Sequence, residues 1–332
     1  MKRFIAEFEE QSFTQIIFPH ANTDWRYYLK EAQETFVNII NAARKYQKVL
    51  VVSYSIEAVK KHFDDYENIY FVEYETDDTW ARDCSVLCVE ENEEVTLLDF
   101  TFTAWGGKFE ACKDDLMSQS IAKHYSAKMI THDFILEGGG VESNGKGLVL
   151  TTAECVLNTN RNAMLTPEQV DAKLKEYFGA KEILTLHNGY LSGDDTDSHI
   201  DTLARFISKD TIMYVHCRDE NDEHYVALRE MEKELEILAK KHHLNLITLP
   251  MADALYYDEE RLPATYANFL FVNGAILVPT YGGSQDEKAL EIFRTTFPKL
   301  DIVGVDCSVL VRQHGSLHCV TMNFARGVSI ID

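Results

Sequence analysis

The chain has 332 residues with 54 acidic against 32 basic side chains, a formal net charge of −22 at pH 7. This acidic excess disfavours nucleic acid and anionic membrane as partners, because Lys and Arg supply most of the affinity for both. The 45% hydrophobic and 26% charged shares exclude disorder and fit one or two globular domains. The acidic N-terminus lacks an apolar segment and the seven cysteines are scattered, so we expect a cytoplasmic protein with reduced thiols.

Short β-branched or aromatic runs alternate with helical patterns along the chain. The predicted strands are Lys48–Tyr54, Ile69–Tyr74, Ser85–Val89, Val95–Phe100, Gly147–Thr152, Ile183–Leu186, Thr211–His216, Leu246–Leu249, Phe269–Pro279 and Asp301–Val311. The predicted helices are Trp25–Lys45, Lys113–Tyr125, Pro167–Phe178, Asp222–His243 and Asp286–Phe297. This alternation predicts an α/β chain of about five similar units in one domain. It leaves an open sheet and a radial arrangement equally open.

Two polar turns in the first half of the chain are candidate binding elements. In the segment 77–83, Asp83 is expected at a strand start with Trp80 beside it as an aromatic wall, although Asp83 paired with Arg82 would serve as an ordinary turn cap. In the segment 136–145, three successive glycines let the backbone approach a ligand and place Glu137 at the end of an apolar run. The glycines lack the context of a phosphate-binding loop.

The segment 193–202 is the most informative stretch. If it is extended, Asp195, Asp197, His199 and Asp201 point to the same face, since strand side chains alternate. Burying several carboxylates together requires a compensating cation, so the segment predicts a metal site or a site for a cationic ligand such as guanidinium.

A cysteine at a loop-to-strand boundary is the candidate nucleophile. Cys319 follows His318 and small residues, a setting in which a thiol can be exposed and its reactivity tuned. Together with the imidazole of His199, it supplies the Cys/His arrangement of covalent catalysis.

Several segments, in this order, resemble signatures of the agmatine deiminase family, which also holds bacterial peptidylarginine deiminases. They are Trp80-Ala81-Arg82-Asp83, Glu137-Gly138-Gly139, the segment 193–201 with Arg205-Phe206, Thr265-Tyr266-Ala267-Asn268-Phe269 with Asn273-Gly274 and Pro279, and His318-Cys319. The N-terminal Ala6-Glu7-Phe8-Glu9 and Phe18-Pro19-His20 with Trp25 are similar to the family's opening motif. Each piece is weak alone, whereas the joint pattern covers almost the whole chain and is highly specific.

The resemblance implies the pentein fold, a five-bladed α/β propeller of pseudo-fivefold symmetry with the active site in its central channel. It implies a single catalytic domain over residues 1–332 with one long helix per blade. The implied nucleophile is Cys319 and the implied general acid/base is His199.

The resemblance also implies a set of substrate-binding residues. The guanidinium-binding carboxylates would be Asp83, Asp201 and Glu137, with Asp195 and Asp197 near the same channel. Trp80 would shape the pocket, and Asn268 matches a pocket position in part of the family.

The chemistry of these residues agrees with that assignment. A guanidinium is planar and cationic, and it pairs bidentately with carboxylates that expose its central carbon to a thiolate. Attack by Cys319 and proton donation by His199 would expel ammonia and leave a covalent thiouronium, which water activated by His199 hydrolyses to a ureido product. Neither step needs a metal or an organic cofactor. We expect hydrolysis of agmatine to N-carbamoylputrescine, and the sequence leaves a homo-oligomer open.

Departures from the agmatine-specific pattern leave other guanidino substrates open. Ser198, His314-Gly315-Ser316 and Met322-Asn323 differ from that pattern beside the acid/base and the nucleophile. Free arginine or a C-terminal peptidyl arginine would require a cationic partner for its carboxylate, and Arg161 and Arg312 are the candidates.

Two further hypotheses come from other classes. The stretch 197–201 matches the D-x-H-x-D motif of manganese ureohydrolases, although the accompanying S-x-D-x-D and G-G-D-H stretches are missing from the sequence. A non-enzymatic pentein binding module would lack the nucleophile or the base, whereas Cys319 and His199 are both present.

Overall fold

A computed structural model describes residues 1–331. The strands β1 to β19 are, in order, Arg3–Phe4, Gln11–Ile17, Lys48–Ser53, Ile69–Glu73, Leu87–Glu91, Glu94–Thr101, Lys128–Ile135, Val141–Ser143, Leu148–Thr152, Glu182–Leu186, Ala204–Ser208, Thr211–His216, Asn245–Pro250, Tyr256–Tyr257, Glu260–Arg261, Leu270–Val272, Ala275–Thr280, Asp301–Asp306 and Thr321–Ala325. The α-helices α1 to α9 are Leu29–Ala43, Ile56–Lys60, Ala81–Cys84, Ala104–Gly107, Cys112–Ser120, Ala153–Val156, Pro167–Phe178, Tyr225–His242 and Asp286–Thr296. The 3-10 turns are Asp24–Tyr27, Ala122–His124, Gly138–Gly140, Ile200–Thr202 and Leu310–Gln313.

Within residues 1–331 the strands form five sheets of three or four strands and one small hairpin, β14–β15. Each of the five sheets combines an antiparallel pair with a parallel pair whose connection contains a helix. Four of them use consecutive strands, β5-β6-β7, β8-β9-β10, β11-β12-β13 and β16-β17-β18. In the fifth, β2 pairs in parallel with β3 and antiparallel with the C-terminal β19. The mixed α/β class predicted from the sequence is therefore confirmed.

Apolar spacing explains how the long helices pack. α1 buries Ala32, Phe36, Ile39 and Ala43, which recur every three or four residues and so share one face. Against that layer lies β3, whose residues from Val49 onward are buried, as expected for the inner strand of a parallel sheet.

The predicted start and end signals of α7 are confirmed. The Thr166 hydroxyl accepts a hydrogen bond from the Gln169 backbone, Gln169 returns the capping bond, and Pro167 occupies the first turn. Gly179 ends the helix in the left-handed conformation at φ 60°.

Several boundaries predicted from the sequence are wrong. The interval Phe269–Pro279 is two antiparallel strands rather than one, because Gly274 turns the chain at φ 84°. The interval Asp301–Val311 stops at Asp306 and continues as a 3-10 turn. The helix predicted over Trp25–Lys45 begins at Leu29 after a separate turn. Eight of the strands lie outside the predicted intervals, namely β1, β2, β7, β8, β11, β14, β15 and β19.

The extended conformation predicted for the segment 193–202 is also wrong. The Asp194 carboxylate accepts hydrogen bonds from the backbone N–H groups of Thr196 and Ser198, which closes the segment into tight turns. Asp197 and Ser198 adopt positive φ values of 63° and 60°, and the chain continues into the 3-10 turn Ile200–Thr202. Residues 195, 197, 199 and 201 therefore do not share one strand face.

Candidate active site

The candidate residues come from loops and short helices at several places in the chain, and the structure brings most of them together. Cys319 lies in a turn two residues before β19, as expected for a loop-to-strand boundary. Asp83 lies within the short helix α3 rather than at a strand start, because residues 81–84 form a helical turn before β5. Glu137 directly precedes the 3-10 turn of three glycines, and Asn268 lies just before β16.

The Cys319 thiol is buried and oriented by an amide. Its Sγ lies 3.4 Å from Oδ1 of Asn268, and the same oxygen accepts the backbone N–H groups of His318 at 2.9 Å and of Cys319 at 3.3 Å. Burial raises the pKa of the thiol well above its usual value, and the carboxylates of Asp201 and Asp83 raise it further. A cation entering beside these carboxylates would reverse that effect and favour the thiolate.

The His199 imidazole lies between two carboxylates. Its Nδ1 is 3.6 Å from Oδ1 of Asp83, and its Nε2 is 3.8 Å from Oε2 of Glu137. Burial disfavours the imidazolium, but Asp83, Cys155 and Glu137 outweigh burial and raise the pKa of His199 well above its usual value. A protonated imidazole at this position can act as a general acid.

The two carboxylates nearest the thiol are fixed by hydrogen bonds. Asp83 accepts the backbone N–H of Gly139 at 2.9 Å and the indole N–H of Trp105 at 3.0 Å. Asp201 uses Oδ2 to contact Nδ1 of His318 at 2.7 Å, while its buried Oδ1 has no hydrogen-bond partner in the described part of the chain. Burial raises the pKa of Asp83. Burial opposes ionisation of Asp201 as well, but the hydrogen bond from His318 lowers the pKa of that group.

Glu137 is held by an arginine instead of facing the pocket directly. The Nε of Arg161 lies 3.1 and 2.9 Å from its two oxygens. Burial opposes ionisation, yet the nearby imidazole of His199 and the charge of Arg161 lower the pKa of Glu137. Arg161 also contacts Asp197 at 2.7 Å, so its charge is already paired.

A further carboxylate, that of Glu7, supports the site from behind. Oε2 of Glu7 lies 2.5 Å from Nε2 of His318, 2.9 Å from Arg205 and 3.3 Å from Arg82. His318 is thereby held between Glu7 and Asp201. Although Arg82 is adjacent in sequence to Asp83, its guanidinium contacts Glu7 and Asn323 instead.

The replacement Glu7→Gln is expected to lower the free energy of unfolding by about 3–5 kcal/mol, because it leaves the buried Arg82 guanidinium without its carboxylate and removes one of the two carboxylates that pair with Arg205. Urea unfolding measured by circular dichroism tests this expectation. The matched control is Glu287→Gln, which removes an exposed ion pair with Arg294 and should cost less than about 1 kcal/mol. Equal losses in the two variants would contradict the structural role of Glu7.

A cavity of about 180 Å³ opens above the thiol. Its lining consists of aromatic rings, carboxylates and the residues around the nucleophile, namely Asp24, Asp78, Trp80, Asp83, Trp105, Phe109, Asp195, Thr196, Gln313, His314, Gly315 and Cys319. Four of these residues carry carboxylates, and no lysine or arginine lines the cavity within residues 1–331. The cavity therefore suits a cation with an apolar body.

The sequence-predicted residues divide into three groups. Cys319, Asp83, Trp80 and Asp195 line the cavity, as the sequence anticipated for a common site. The remaining candidates pack around the thiol and the imidazole in the buried layer, namely His199, Asp201, Glu137 and Asn268. The expectation for Asp197 is wrong, because its carboxylate pairs with Lys108 and Arg161 instead of lining the cavity.

The D-x-H-x-D stretch does not form a ligand cluster. Asp197 is paired with Lys108 and Arg161, whereas Asp201 is bound to His318, so the two carboxylates that flank His199 in sequence serve different contacts. This geometry argues against the ureohydrolase hypothesis.

Neither candidate partner for a substrate carboxylate lines the cavity. Arg161 is enclosed by Glu137 and Asp197. Arg312 contacts Glu31 at 2.8 Å and stacks over the ring of Tyr28 at 5.5 Å.

Sequence reasoning did not single out several of the lining residues. Asp78 stands in the polar turn before Trp80, and its carboxylate accepts the Trp80 indole N–H at 3.0 Å. Trp105 precedes two glycines, and both Trp105 and Gly106 have positive φ values, which direct the indole onto Asp83. A tryptophan beside paired glycines is the signal that could have identified this position.

Among the described residues, no helix combines the length and the apolar character needed to cross a membrane.

Comparison with known proteins places the chain in a family. The family model of the Porphyromonas-type peptidyl-arginine deiminase matches residues 3–324. An agmatine deiminase of Pseudomonas aeruginosa is 30% identical over 96% of this chain and 94% of its own length. Two solved structures are similar. A cysteine-to-serine variant of the C. jejuni agmatine deiminase with substrate bound has a TM-score of 0.94 at 42% identity, covering 98% of this chain and 97% of that one. The agmatine deiminase of Enterococcus faecalis has a TM-score of 0.90 at 30% identity, covering 97% and 95%. This chain therefore belongs to the Porphyromonas-type peptidyl-arginine deiminase family.

Proposed function

We propose that this protein is an agmatine deiminase, a hydrolase that converts agmatine and water to N-carbamoylputrescine and ammonia. The observation that carries the proposal is the charge of the cavity, which has four lining carboxylates and, within residues 1–331, no lysine or arginine. Agmatine carries a guanidinium at one end and an ammonium at the other. Arginine differs by a carboxylate, which this lining would repel. The family relatives named agmatine deiminase support the same substrate.

The guanidinium is proposed to bind between Asp83 and Asp201. Both carboxylates are buried and fixed, so they can accept its N–H groups without reorganisation. The positive charge of the substrate offsets the two carboxylates that raise the pKa of Cys319, and the thiol then loses its proton. Binding and activation of the nucleophile are in this way coupled.

The first half of the reaction forms a C–S bond and releases ammonia. The thiolate of Cys319 attacks the central guanidinium carbon and gives a tetrahedral adduct. The imidazolium of His199 donates its proton to one terminal nitrogen, the C–N bond breaks, and ammonia leaves. The product is a thiouronium that still carries the aminobutyl group, and Glu137 remains beside the neutral imidazole.

The second half of the reaction consumes water. Neutral His199 takes a proton from a water molecule, whose oxygen attacks the thiouronium carbon. The C–S bond then breaks, the electron pair returns to Cys319 as thiolate, and the ureido product leaves. His199 acts as acid and then as base and ends protonated. The hydroxyl of the second adduct loses its proton as the ureido group forms, and this proton replaces the one that the Cys319 thiol released to solvent when substrate bound.

The ammonium end is proposed to bind near Asp78, with Asp24 and Asp195 adding negative charge along the cavity. Trp80 is wedged against Gly315, where a Cβ would lie 2.1 Å from its ring, so this aromatic wall is fixed. The rings of Trp105 and Phe109 face the same space and suit the methylene chain.

The architecture proposed for this function is the five-bladed pentein propeller, in a single domain. Five sheets with the same combination of strands and helix, the first completed by β19, support five blades around a central site. We also propose a cytoplasmic location, which the cysteines support because all seven are free thiols.

An ammonia-release panel tests the substrate. Agmatine, free arginine and a peptide with C-terminal arginine are compared by kcat/KM at equal ionic strength. The proposal expects agmatine to exceed both others by at least about 100-fold, in line with the cost of placing an unpaired carboxylate against like charges. Arginine turned over faster than agmatine would overturn the substrate assignment, and no release from any of the three would overturn the enzyme assignment.

The pH dependence of KM tests the ammonium site. Burial raises the pKa of Asp78 to about 7, so the carboxylate is ionised above pH 7 and neutral below it. The KM for agmatine is therefore expected to rise as the pH falls through 7, and Asp78→Asn should remove that change while raising KM at pH 8. The control is Asp77→Asn, because Asp77 caps Lys113 instead of lining the cavity. A wild-type pH profile retained in Asp78→Asn would contradict the assignment.

A further inference from the structure

Behind the proposed acid/base lies a group of three metal-ligating side chains that the proposed reaction does not use as a set. Glu137, Cys155 and His199 are all buried, and one ligand atom from each lies within 4.8 Å of the others. They come from three separate segments, since Cys155 lies in α6, Glu137 follows β7, and His199 precedes the turn Ile200–Thr202.

The geometry around one carboxylate oxygen defines the centre of this group. Oε2 of Glu137 lies 4.0 Å from Sγ of Cys155 and 3.8 Å from Nε2 of His199. Nε2 is buried and has no hydrogen-bond partner among residues 1–331, and the His199 side chain is only 1% exposed. A buried imidazole nitrogen without a partner, aimed at a thiol and a carboxylate, is an incomplete arrangement.

The space beside these atoms is kept free by a glycine. A Cβ on Gly140 would lie 3.0 Å from Sγ of Cys155 and 3.9 Å from Nε2 of His199. Arg161 binds Glu137 through Nε, yet each carboxylate oxygen has a second lone pair that remains open to another ligand. One thiolate, one imidazole and one carboxylate form a donor set that suits Zn²⁺ and similar thiophilic divalent cations.

We propose that Glu137, Cys155 and His199 form an inhibitory binding site for a thiophilic divalent cation such as Zn²⁺. Binding displaces the proton of the Cys155 thiol and the Nε2 proton of the His199 imidazolium, so that an S–metal and an N–metal bond form and two protons are released. The metal occupies Nε2 of His199 and holds the ring against movement. Its inhibitory effect rests on the proposed role of His199, whereas metal binding itself does not depend on that role.

The metal cation would reach this group through the acidic cavity. The carboxylates of Asp24, Asp78 and Asp195 attract a cation toward Asp83, whose carboxylate contacts His199. Agmatine in the cavity would block the same path. Bound substrate is therefore expected to slow inhibition by the metal.

Cobalt provides a spectroscopic test that is independent of activity, because a thiolate ligand gives Co²⁺ an intense near-ultraviolet charge-transfer band. All proteins carry Cys112→Ser, which removes the exposed thiol. The band is expected in this parent and in its Cys319→Ser derivative, and it should disappear in the Cys155→Ser derivative. Cys88→Ser, which alters a buried thiol outside the group, should keep the band. A band that survives in Cys155→Ser or disappears in Cys319→Ser would overturn the proposal.

Inhibition by Zn²⁺ gives the functional readout. Half-inhibition of ammonia release from agmatine should require at least about tenfold more Zn²⁺ in Cys155→Ser than in the parent, as expected for loss of one ligand. Equal sensitivity would overturn the inhibitory role.

If Cys155→Ser fails to fold, X-ray absorption of the Zn²⁺-loaded protein lacking Cys112 and Cys319 tests the proposal instead. One sulfur at about 2.3 Å with imidazole scattering is expected, and a shell without sulfur would overturn the proposal.

Discussion

Replacing Cys319 by serine is expected to lower kcat for agmatine by at least about 10⁴-fold while agmatine still binds. The change is nearly isosteric, so the hydroxyl can keep the contact with Asn268 and the cavity keeps its shape. A serine hydroxyl beside Asp83 and Asp201 has no base in contact strong enough to ionise it, and attack on the guanidinium carbon fails. Ammonia release measures kcat, and calorimetric titration with agmatine measures binding.

The control for this variant is Cys112→Ser, which changes an exposed thiol and should keep full activity. Retention of a tenth or more of the wild-type kcat by Cys319→Ser would contradict the assignment of the nucleophile. Loss of both binding and thermal stability would instead indicate that the thiol is needed for folding.

Gly139→Ala is expected to lower kcat by about 100-fold or more, with a smaller change in stability. A Cβ on Gly139 would lie 2.6 Å from Nδ1 of His199, 2.9 Å from Asp83 and 3.1 Å from Asp201, so one methyl group would displace the acid/base and both guanidinium carboxylates. Displacement of reacting groups by about 1 Å costs on the order of 100-fold in rate. Steady-state ammonia release at saturating agmatine gives the effect on kcat.

The matched control for this replacement is Gly304→Ala. A Cβ on Gly304 would meet its nearest neighbours at 3.3–3.7 Å, and neither Gly139 nor Gly304 has a positive φ, so neither replacement forces a left-handed backbone. The control should keep its wild-type kcat. Wild-type kcat in Gly139→Ala would show that the three groups do not require their observed positions.

The helices could be predicted because their signals are local. The apolar residues of α1 recur every three or four positions within the helix itself. The residues that start and end α7 lie within one turn of its two ends. The strands that were missed lack such signals. β7 contains Lys128, His132 and Asp133 and is largely exposed, as an outer strand can be, and β19 depends on pairing with β2 near the other end of the chain.

The segment 193–202 shows how local hydrogen bonds override a polarity pattern. Alternating polar residues predict a strand, but the Asp194 carboxylate captures the backbone N–H groups of Thr196 and Ser198 and forms turns instead. Even so, His199 and Asp201 reach the candidate site. Their chemical types indicated the site, whereas their conformation depended on contacts that the pattern does not contain.

The support behind the site could not be predicted from the sequence. Glu7 meets His318 across 311 positions, and Arg205 reaches both Glu7 and Glu142. The sequence suggested Arg82 as the partner of Asp83, but buried charges select partners by three-dimensional proximity, and Arg82 pairs with Glu7. The sequence also shows the net negative charge but not where acidic side chains cluster. In the structure, four carboxylates line one cavity.

Rapid acid quenching of the wild-type protein during its first turnovers of agmatine, followed by peptide mass spectrometry, tests the central claim most directly. A transient adduct is expected on the peptide that carries Cys319, and its mass increase should equal the mass of agmatine minus that of ammonia. The adduct should form with the first ammonia released and decay at a rate no slower than kcat. Steady ammonia release with Cys319 unmodified at every quench time, or an adduct on a different cysteine, would contradict the claim.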